Sequence, residues 1–132
     1  LGADCLTGGK RGEINQNYYL PTVLVNVPEN SPVIRQEVFG PVAPVQRFSD
    51  IKACVEMANN TIFGLGAAVW TQDLEKAGDI AKKIYSGTVA INGMVKSEPA
   101  VPFGGVNDSG YGRELSDVGI REFVNIKVVN YY

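Results

Sequence analysis

The sequence has no histidine and only two cysteines, Cys5 and Cys54, among its 132 residues. Without histidine the chain lacks the commonest general base and the commonest zinc ligand, so Ser-His and Cys-His catalysis within it are excluded. The separation of the two cysteines matches no metal-ligand spacing. Cys54 falls on the apolar side of a predicted helix, where a free cysteine usually behaves as a small hydrophobe. We therefore expect two structural thiols, no catalytic residue and no metal site in this chain.

Long hydrophobic runs and an excess of charge of one sign are also missing. The longest apolar stretches, such as residues 22–27 and 64–70, fall short of the roughly 20 residues that cross a bilayer. Lysine and arginine number 12 against 14 acidic residues, a net charge of -2, and the basic residues do not cluster. We therefore expect no membrane role and no nucleic-acid binding. The N-terminus lacks a secretory signal pattern, so a cytoplasmic location is expected.

What the chain does contain is an alternation of strands and helices. Strands are predicted at Val42 to Phe48, Gly66 to Trp70 and Thr88 to Asn92, the second of them buried, with a helix in each gap. This β-α-β-α-β order implies parallel strands joined by right-handed crossovers. A further extended segment is predicted at residues 21–27, and a terminal strand at residues 128–132 after a short helix between Glu114 and Phe123.

Both helices of the core have recognisable start signals and an apolar face. The first begins after Asp50 and ends near Asn59, and the second begins after Thr71 or Asp73 and stops before Gly87. An ion pair four residues apart is expected on the outside of the second helix, between Asp79 and Lys83. The inner faces are predicted to be Ile51, Cys54, Val55 and Ala58 in the first helix, and Leu74, Ala77, Ala81 and Ile84 in the second.

A long loop rich in glycine and proline follows the last core strand, from Gly93 to Gly112. Loops of this length in compact domains are often functional, and sheets of this kind bind ligands beyond the carboxyl ends of their strands. Ser97, Glu98 and Phe103 are therefore expected near any site. Neither a dinucleotide fingerprint nor a P-loop string occurs in the chain, so independent nucleotide binding is not expected.

A second segment with chemical potential is Glu37 to Pro41, where an acid and an aromatic ring precede a turn. A carboxylate can accept hydrogen bonds from ribose hydroxyls, and a ring can lie against a flat heterocycle. The alternative is a loop leading into a strand, with one surface acid and one core phenylalanine. Composition alone favours that alternative, because exposed acids and buried aromatics are the usual arrangement.

Several separated motifs, in the same order along the chain, resemble those of the aldehyde dehydrogenase superfamily. The resemblance covers nearly the whole chain, and the closest subgroup is succinate-semialdehyde dehydrogenase. One departure is Asn107, where a lysine is common in the family. The matching segments are Asn17–Thr22, Glu37–Pro41, Ala58–Leu65, Gly87–Asn92, Pro102–Gly105, Ser109–Glu114 and Lys127–Val129.

The resemblance implies roles for four residues and a nicotinamide cofactor, NAD or NADP. Glu37 would bond the nicotinamide ribose, and Phe39 would pack against the nicotinamide side of the cofactor. Phe103 would line the aldehyde pocket. Ser97 stands where semialdehyde-oxidising members have a serine that helps to hold the distal carboxylate of the substrate. For Ser97 the alternative is a loop serine that caps a turn.

The resemblance also implies an α/β fold, a partial three-layer parallel sheet belonging to the C-terminal part of the family's catalytic domain. Residues 1–125 would form that part of the domain. Residues 126–132 would form a terminal strand for subunit contacts, so a homo-oligomer is expected.

The family's chemistry needs a cysteine thiolate that attacks the aldehyde, hydride transfer to nicotinamide, and a glutamate that activates water. In the family, both residues and the cofactor domain lie upstream of the motifs found here. We therefore expect the chain alone to be inactive. Because it starts at Leu1, a fragment of a longer enzyme is favoured over a separate subunit. The remaining alternative is a truncated, non-catalytic paralogue that acts as an interaction or subunit module.

Overall fold

The computed structural model describes residues 2–132, and the chain divides into two compact units that meet in sequence at Ser49 and Asp50. The first unit holds three strands and one short helix, and the second holds two strands and three α-helices. The elements of the first unit are β1 (Asp4–Thr7), β2 (Thr22–Val25), α1 (Pro32–Arg35) and β3 (Val42–Val45). Those of the second are α2 (Ile51–Asn59), β4 (Gly66–Val69), α3 (Leu74–Ala81), β5 (Thr88–Ile91) and α4 (Ser116–Arg121), with a 3-10 turn at Asn107–Ser109.

The sheet of the first unit has the strand order β1-β2-β3. β2 and β3 are parallel, with Thr22 opposite Val42 and Val25 opposite Val45, whereas β1 runs antiparallel to β2. The predicted extended segments at residues 21–27 and 42–48 are confirmed as β2 and β3. β1 was not predicted, because its sequence has no alternation of apolar and polar residues and all four side chains are exposed.

Thr22 ties the segments of the first unit together. Its side chain is buried, its hydroxyl donates to the Leu20 carbonyl at 2.8 Å, and the same oxygen accepts from the Gly9 amide at 2.8 Å. Its own amide donates to the Pro41 carbonyl at 2.8 Å. A buried hydroxyl satisfied in both roles costs little to bury, so this residue fixes the start of β2 against two loops.

The second unit is built on the parallel pair β4 and β5, with Gly66 opposite Thr88 and Val69 opposite Ile91. α3 connects the two strands and contacts both. Its side toward the strands contains Ala77, which is fully buried, and Ile80, which is nearly so. The prediction for Ala77 is therefore confirmed, but Leu74 is 66% exposed and was wrongly assigned to this face.

The three core strands β3, β4 and β5 do not form the one continuous parallel sheet that was predicted. β3 pairs with β2 and β4 pairs with β5, so the described residues form a mixed three-stranded sheet and a parallel two-stranded sheet. Strands that follow one another through a helix need not be neighbours, because sequence order does not fix lateral order. The α/β class is as predicted, and so are the helices between β3 and β4 and between β4 and β5.

Three local expectations also need correction. β4 alternates between exposed and half-buried residues instead of being buried throughout. Asp79 pairs with Lys82, with Nζ 3.2 Å from Oδ1, and not with Lys83, and both side chains of the pair are largely exposed. Gly87 does not end a helix, because α3 ends at Ala81. The predicted starts of the two core helices are confirmed: the Asp50 and Asp73 carboxylates accept amide hydrogen bonds three residues on, at 2.8 and 3.0 Å.

The predicted terminal strand at residues 128–132 is absent, since residues 125–132 form neither helix nor strand. A strand needs a partner edge, and this segment pairs with none of the described residues. Among residues 2–132, no helix is long and apolar enough to span a membrane. The exposed large apolar side chains of the segment are Ile126, Val128, Val129, Tyr131 and Tyr132.

Candidate functional site

The first candidate site is the loop of residues 36–41, between α1 and β3. Glu37 is exposed, and the side chain of Phe39 is 93% exposed. The alternative of a core phenylalanine is therefore wrong for this structure, although composition favoured it. The loop presents one carboxylate and one aromatic ring, two residues apart, on the surface of the first unit.

The backbone of this loop is fixed at both ends and unusual in the middle. The Gln36 amide donates to the Pro32 carbonyl at 2.8 Å, and the Pro41 carbonyl accepts from Thr22 at 2.8 Å. Phe39 has a backbone φ of 48°, in the left-handed region, which is uncommon for a bulky residue. Such a conformation costs on the order of 1–3 kcal/mol and is found disproportionately at ligand sites. Because the ring is exposed, its own burial does not compensate for that cost.

The second candidate site is the loop after β5, which begins at Asn92. The side chain of Asn92 and the backbone of Thr71 exchange two hydrogen bonds: Nδ2 donates to the Thr71 carbonyl at 2.8 Å, and Oδ1 accepts from the Thr71 amide at 2.8 Å. The Asn92 amide also donates to the Val69 carbonyl at 2.8 Å. The start of the loop is thereby joined to the carboxyl end of β4.

Ser97 lies further along this loop and is exposed. Two contacts bracket it. Before it, the side chain of Val95 lies against Gly66, where an added Cβ would come within 2.9 Å of Val95. After it, the Pro99 carbonyl accepts from the Ser116 amide at 3.0 Å. The hydroxyl is thus on a loop that is held on both sides while the serine itself faces outward.

Phe103 is half-buried and forms an isolated antiparallel bridge with Glu114, each amide donating to the other residue's carbonyl at 2.8 Å. It lines a cavity of about 390 Å³ in the second unit. The cavity also has charged walls, provided by Arg113, Glu114 and Glu122. Ser97 is not among its lining residues, so the structure does not bring Ser97 and Phe103 into one cavity.

The glycine-rich stretch that carries Phe103 docks on the segments that precede β4 and β5. A Cβ on Gly87 would lie 1.6 Å from the Gly104 carbonyl oxygen, so only glycine permits this approach. The Gly64 amide donates to Ser109 Oγ at 2.9 Å, and Arg113 Nη1 donates to the Gly105 carbonyl at 2.7 Å. This docking, not an anion cradle, accounts for the glycines here.

The side chain of Asn59, like that of Asn92, both donates to and accepts from the backbone of a distant segment. We call each of these two asparagine side chains a clamp. Asn59 Nδ2 donates to the Lys83 carbonyl at 2.8 Å, and its Oδ1 accepts from the Tyr85 amide at 2.8 Å. The sequence reasoning assigned Asn59 only to the end of a helix. Both clamps were missed because an asparagine side chain has no local signal for a backbone partner that is more than twenty residues away.

The two cysteines are not bonded to each other. Cys5 is exposed and its thiol donates to the Thr7 carbonyl at 3.2 Å, whereas Cys54 is half-buried, and both are free. Within residues 2–132, no group of three or more histidine, cysteine, aspartate or glutamate side chains is arranged to hold a metal.

The four predicted residues fall into two pairs by location. Glu37 and Phe39 share one loop of the first unit, while Ser97 and Phe103 lie on one loop of the second. Each pair follows or precedes a strand that belongs to a parallel pairing. The fold is that of an α/β protein, a class that commonly binds ligands on loops next to its parallel strands.

Comparison with known proteins places the chain within this class. The sequence model described as "Aldehyde dehydrogenase family" matches residues 1–129. The chain belongs to the aldehyde dehydrogenase family. This match confirms the family resemblance stated from the motifs, and relatives named succinate-semialdehyde dehydrogenase support the subgroup.

Relatives in this family are close in sequence. A probable succinate-semialdehyde dehydrogenase [NADP(+)] of Synechocystis sp. is 48% identical over 128 residues, which is 97% of this chain and 28% of that protein. An aldehyde dehydrogenase of Paenarthrobacter nicotinovorans is 49% identical over the same coverage. The chain thus spans about 28% of the length of these relatives.

Solved structures agree with the fold. Succinate-semialdehyde dehydrogenase from Burkholderia pseudomallei superposes with a TM-score of 0.89 at 41% identity, covering 96% of this chain and 26% of that one. Betaine aldehyde dehydrogenase from Staphylococcus aureus in complex with NAD+ gives a TM-score of 0.89 at 35% identity, covering 99% of this chain and 29% of that one. The elements described above are therefore those of the corresponding part of an aldehyde dehydrogenase.

Proposed function

We propose that the chain is the C-terminal part of an NAD(P)-dependent aldehyde dehydrogenase that oxidises succinate semialdehyde to the carboxylic acid. The observation that carries the proposal is the family match over residues 1–129, together with relatives named succinate-semialdehyde dehydrogenase at 48 to 49% identity. The residue types on the two loops support it, since a carboxylate and an aromatic ring suit a dinucleotide, and a hydroxyl and an aromatic ring suit a carboxylated aldehyde.

The first loop fits a nicotinamide dinucleotide. Relatives carry NADP(+) in their names, and related structures are complexes with NAD+. Both Glu37 and Phe39 are exposed, so neither side chain has to leave a packed core to meet a ligand. The carboxylate is suited to the ribose hydroxyls, and the ring is suited to a flat heterocycle. The dinucleotide, when bound, supplies the hydride acceptor.

The second loop is proposed to serve the aldehyde. Phe103 provides an apolar wall, and the Ser97 hydroxyl provides a donor for the distal carboxylate of succinate semialdehyde. A hydroxyl that bonds a substrate group discriminates against analogues without that group, because the site's polar atom is then left unpaired. Ser97 is therefore proposed as a specificity residue and Phe103 as part of the aldehyde pocket.

The chain itself contributes binding and not chemistry. The reaction needs a thiolate nucleophile, whereas Cys5 lies in an exposed edge strand and Cys54 lies on a helix. Neither is in the loops that carry Glu37, Phe39, Ser97 or Phe103. Residues 1–132 alone are therefore proposed to be inactive, and turnover to require the rest of a complete enzyme.

The larger architecture follows from the same proposal. The two sheets would be parts of a three-layer catalytic domain spanning residues 1–125. Residues 126–132 would add a strand to a second subunit, which favours a homo-oligomer, and a cytoplasmic location is proposed. Ile126 and Val128 are apolar but 81% and 77% exposed, which supports the proposal that another subunit covers this segment.

An aldehyde panel tests the substrate. The complete enzyme is assayed with succinate semialdehyde and with butanal, each with NAD and NADP. The proposal expects kcat/KM for succinate semialdehyde to exceed that for butanal by at least about tenfold, the scale of one net hydrogen bond. Equal rates with both aldehydes would contradict the substrate, and no rate with any aldehyde would favour the non-catalytic interaction module.

A further inference from the structure

Asn92 holds the start of the loop that carries Ser97 and Phe103 through its side chain. The side-chain amide of Asn92 exchanges two hydrogen bonds of 2.8 Å with the backbone of Thr71. The backbone amide of Asn92 donates to the Val69 carbonyl at 2.8 Å. The side chain therefore acts as an additional backbone unit, continuing the pairing of β4 and β5 by one step. Because an amide has both a donor and an acceptor, it can fill this place, whereas a carboxylate lacks the donor.

Asn92 also sets the direction in which the chain leaves the strand. Its φ of 52 is in the left-handed region, which asparagine tolerates better than most residues. The chain then folds back, so that Val95 lies against Gly66 at the amino end of β4, as the 2.9 Å approach to an added Cβ shows. Ser97 follows two residues later.

Ser97 depends on these contacts because burial does not hold it. Residues 96–102 are all exposed, so the apolar contacts of the loop are few in this stretch. The position of Ser97 is thus set by three contacts of the loop around it. These are the turn at Asn92, the packing of Val95 against Gly66, and the hydrogen bond from the Ser116 amide to the Pro99 carbonyl. Of these, the Asn92 clamp is the contact in which a side chain contributes two hydrogen bonds.

We propose that Asn92 is a positioning residue for substrate selection: it fixes the loop so that Ser97 meets the distal carboxylate of the substrate. This inference rests on the proposed function and assigns it a further residue. Asn92 does not touch the substrate, and it acts through the direction of the loop. An aspartate at this position keeps the size but turns a carboxylate oxygen toward the Thr71 carbonyl, whereas a glycine keeps the left-handed turn without the clamp.

The experiment uses the complete enzyme with Asn92→Asp, Asn92→Gly and Ser97→Ala, each alone, and the double variant Asn92→Asp with Ser97→Ala. The kcat and KM are measured with succinate semialdehyde and with butanal. We expect Asn92→Asp to raise KM for succinate semialdehyde by about tenfold, the scale of a lost hydrogen bond, while butanal changes by less than about twofold. Asn92→Gly gives a second test if the aspartate variant does not fold.

Two further readings separate positioning from a general loss of structure. Ser97→Ala lowers the preference for succinate semialdehyde by a similar factor, and the double variant loses no more than the larger single change, since both act through one contact. Hydrogen exchange at the Thr71 amide accelerates in Asn92→Gly, which removes the Oδ1 acceptor of that amide, and not in Ser97→Ala. Asn107→Asp is the matched control, because it makes the same change at another asparagine with a positive φ, of 54.

The outcomes distinguish the two levels of the proposal. If the unaltered enzyme shows no preference for succinate semialdehyde, the proposed substrate is wrong and the role of Asn92 is overturned with it. If the preference exists but Asn92→Asp and Asn92→Gly lower kcat/KM equally for both aldehydes, or if their effects multiply with that of Ser97→Ala, the positioning role alone is overturned.

Discussion

Glu37 and Phe39 illustrate how much of the site is decided at the level of single residues. The loop between α1 and β3 carries both, exposed, with Phe39 at a φ of 48. An exposed aromatic ring in an uncommon backbone conformation gains nothing from packing within the first unit. A ligand that lies against the ring would account for its placement, and the carboxylate two residues earlier would then bond the ligand's hydroxyl groups.

Glu37→Gln is expected to weaken cofactor binding in the complete enzyme. The amide keeps one oxygen but loses the charge that strengthens a hydrogen bond to a hydroxyl, so KM for the dinucleotide should rise by about tenfold. Steady-state kinetics with the dinucleotide varied provide the measurement. Glu29→Gln, at another exposed acid of the same unit, is the control and should leave KM unchanged. An equal effect at both positions would refute a specific role for Glu37.

At the level of elements, the sequence predicted local structure better than pairing. The starts of α2 and α3 were correct, because Asp50 and Asp73 cap their own helices within three residues. The order of the strands was not, because the partner of β3 is β2, and no local pattern specifies which strand lies beside which. The exposure of Leu74 could not be read from periodicity, since it depends on which surface faces the strands.

In the candidate site, too, the residues could be predicted from the sequence but their long-range contacts could not. Its residues could be named because they stand in motifs that resemble a known family, whereas the turn at Glu37 to Pro41 had favoured a buried ring on composition. One of the contacts that hold the second loop, between Gly87 and Gly104, has no signal in the sequence. It is a close approach of two backbones that are seventeen positions apart, and only coordinates reveal it.

Gly87→Ala is expected to destabilise the protein, because the new methyl group would lie 1.6 Å from the Gly104 carbonyl oxygen and the loop would have to move. Overpacking of this kind costs about 1–3 kcal/mol of unfolding free energy, or more where backbone blocks the way. Urea denaturation of the complete enzyme measures the change.

Gly78→Ala provides the matched control for Gly87→Ala. Gly78 lies inside α3 with no atom within 4 Å of an added Cβ, so alanine should stabilise that helix by about 1 kcal/mol. If Gly87→Ala is as harmless as Gly78→Ala, the loop does not dock on the strands as described.

For the whole molecule, the main feature is how few apolar side chains are buried. Among residues 2–132 the buried hydrophobic side chains are Val27, Ala77 and Ile80, whereas Trp70 and Phe123 are 67% and 87% exposed. Burial is the main stabilising term in folding, and large exposed apolar surfaces mark contact sites with other protein. This balance is what one expects if further protein covers the chain.

Removal of residues 126–132 from the complete enzyme is expected to reduce its oligomeric state. These residues have no strand partner among the described residues, and their apolar side chains are exposed. Light scattering coupled to size exclusion compares the shortened and unshortened enzymes. An unchanged mass would show that the terminal segment is not a subunit contact, whereas a smaller particle is the predicted result.

We propose that this chain supplies ligand-binding loops to an aldehyde dehydrogenase but not its chemistry. The most direct measurement compares the rate of nicotinamide reduction with succinate semialdehyde for the complete enzyme and for residues 1–132 alone, at equal molar concentration. The predicted result is turnover by the complete enzyme and none by residues 1–132. Turnover by residues 1–132 alone, or none by the complete enzyme, would contradict the claim.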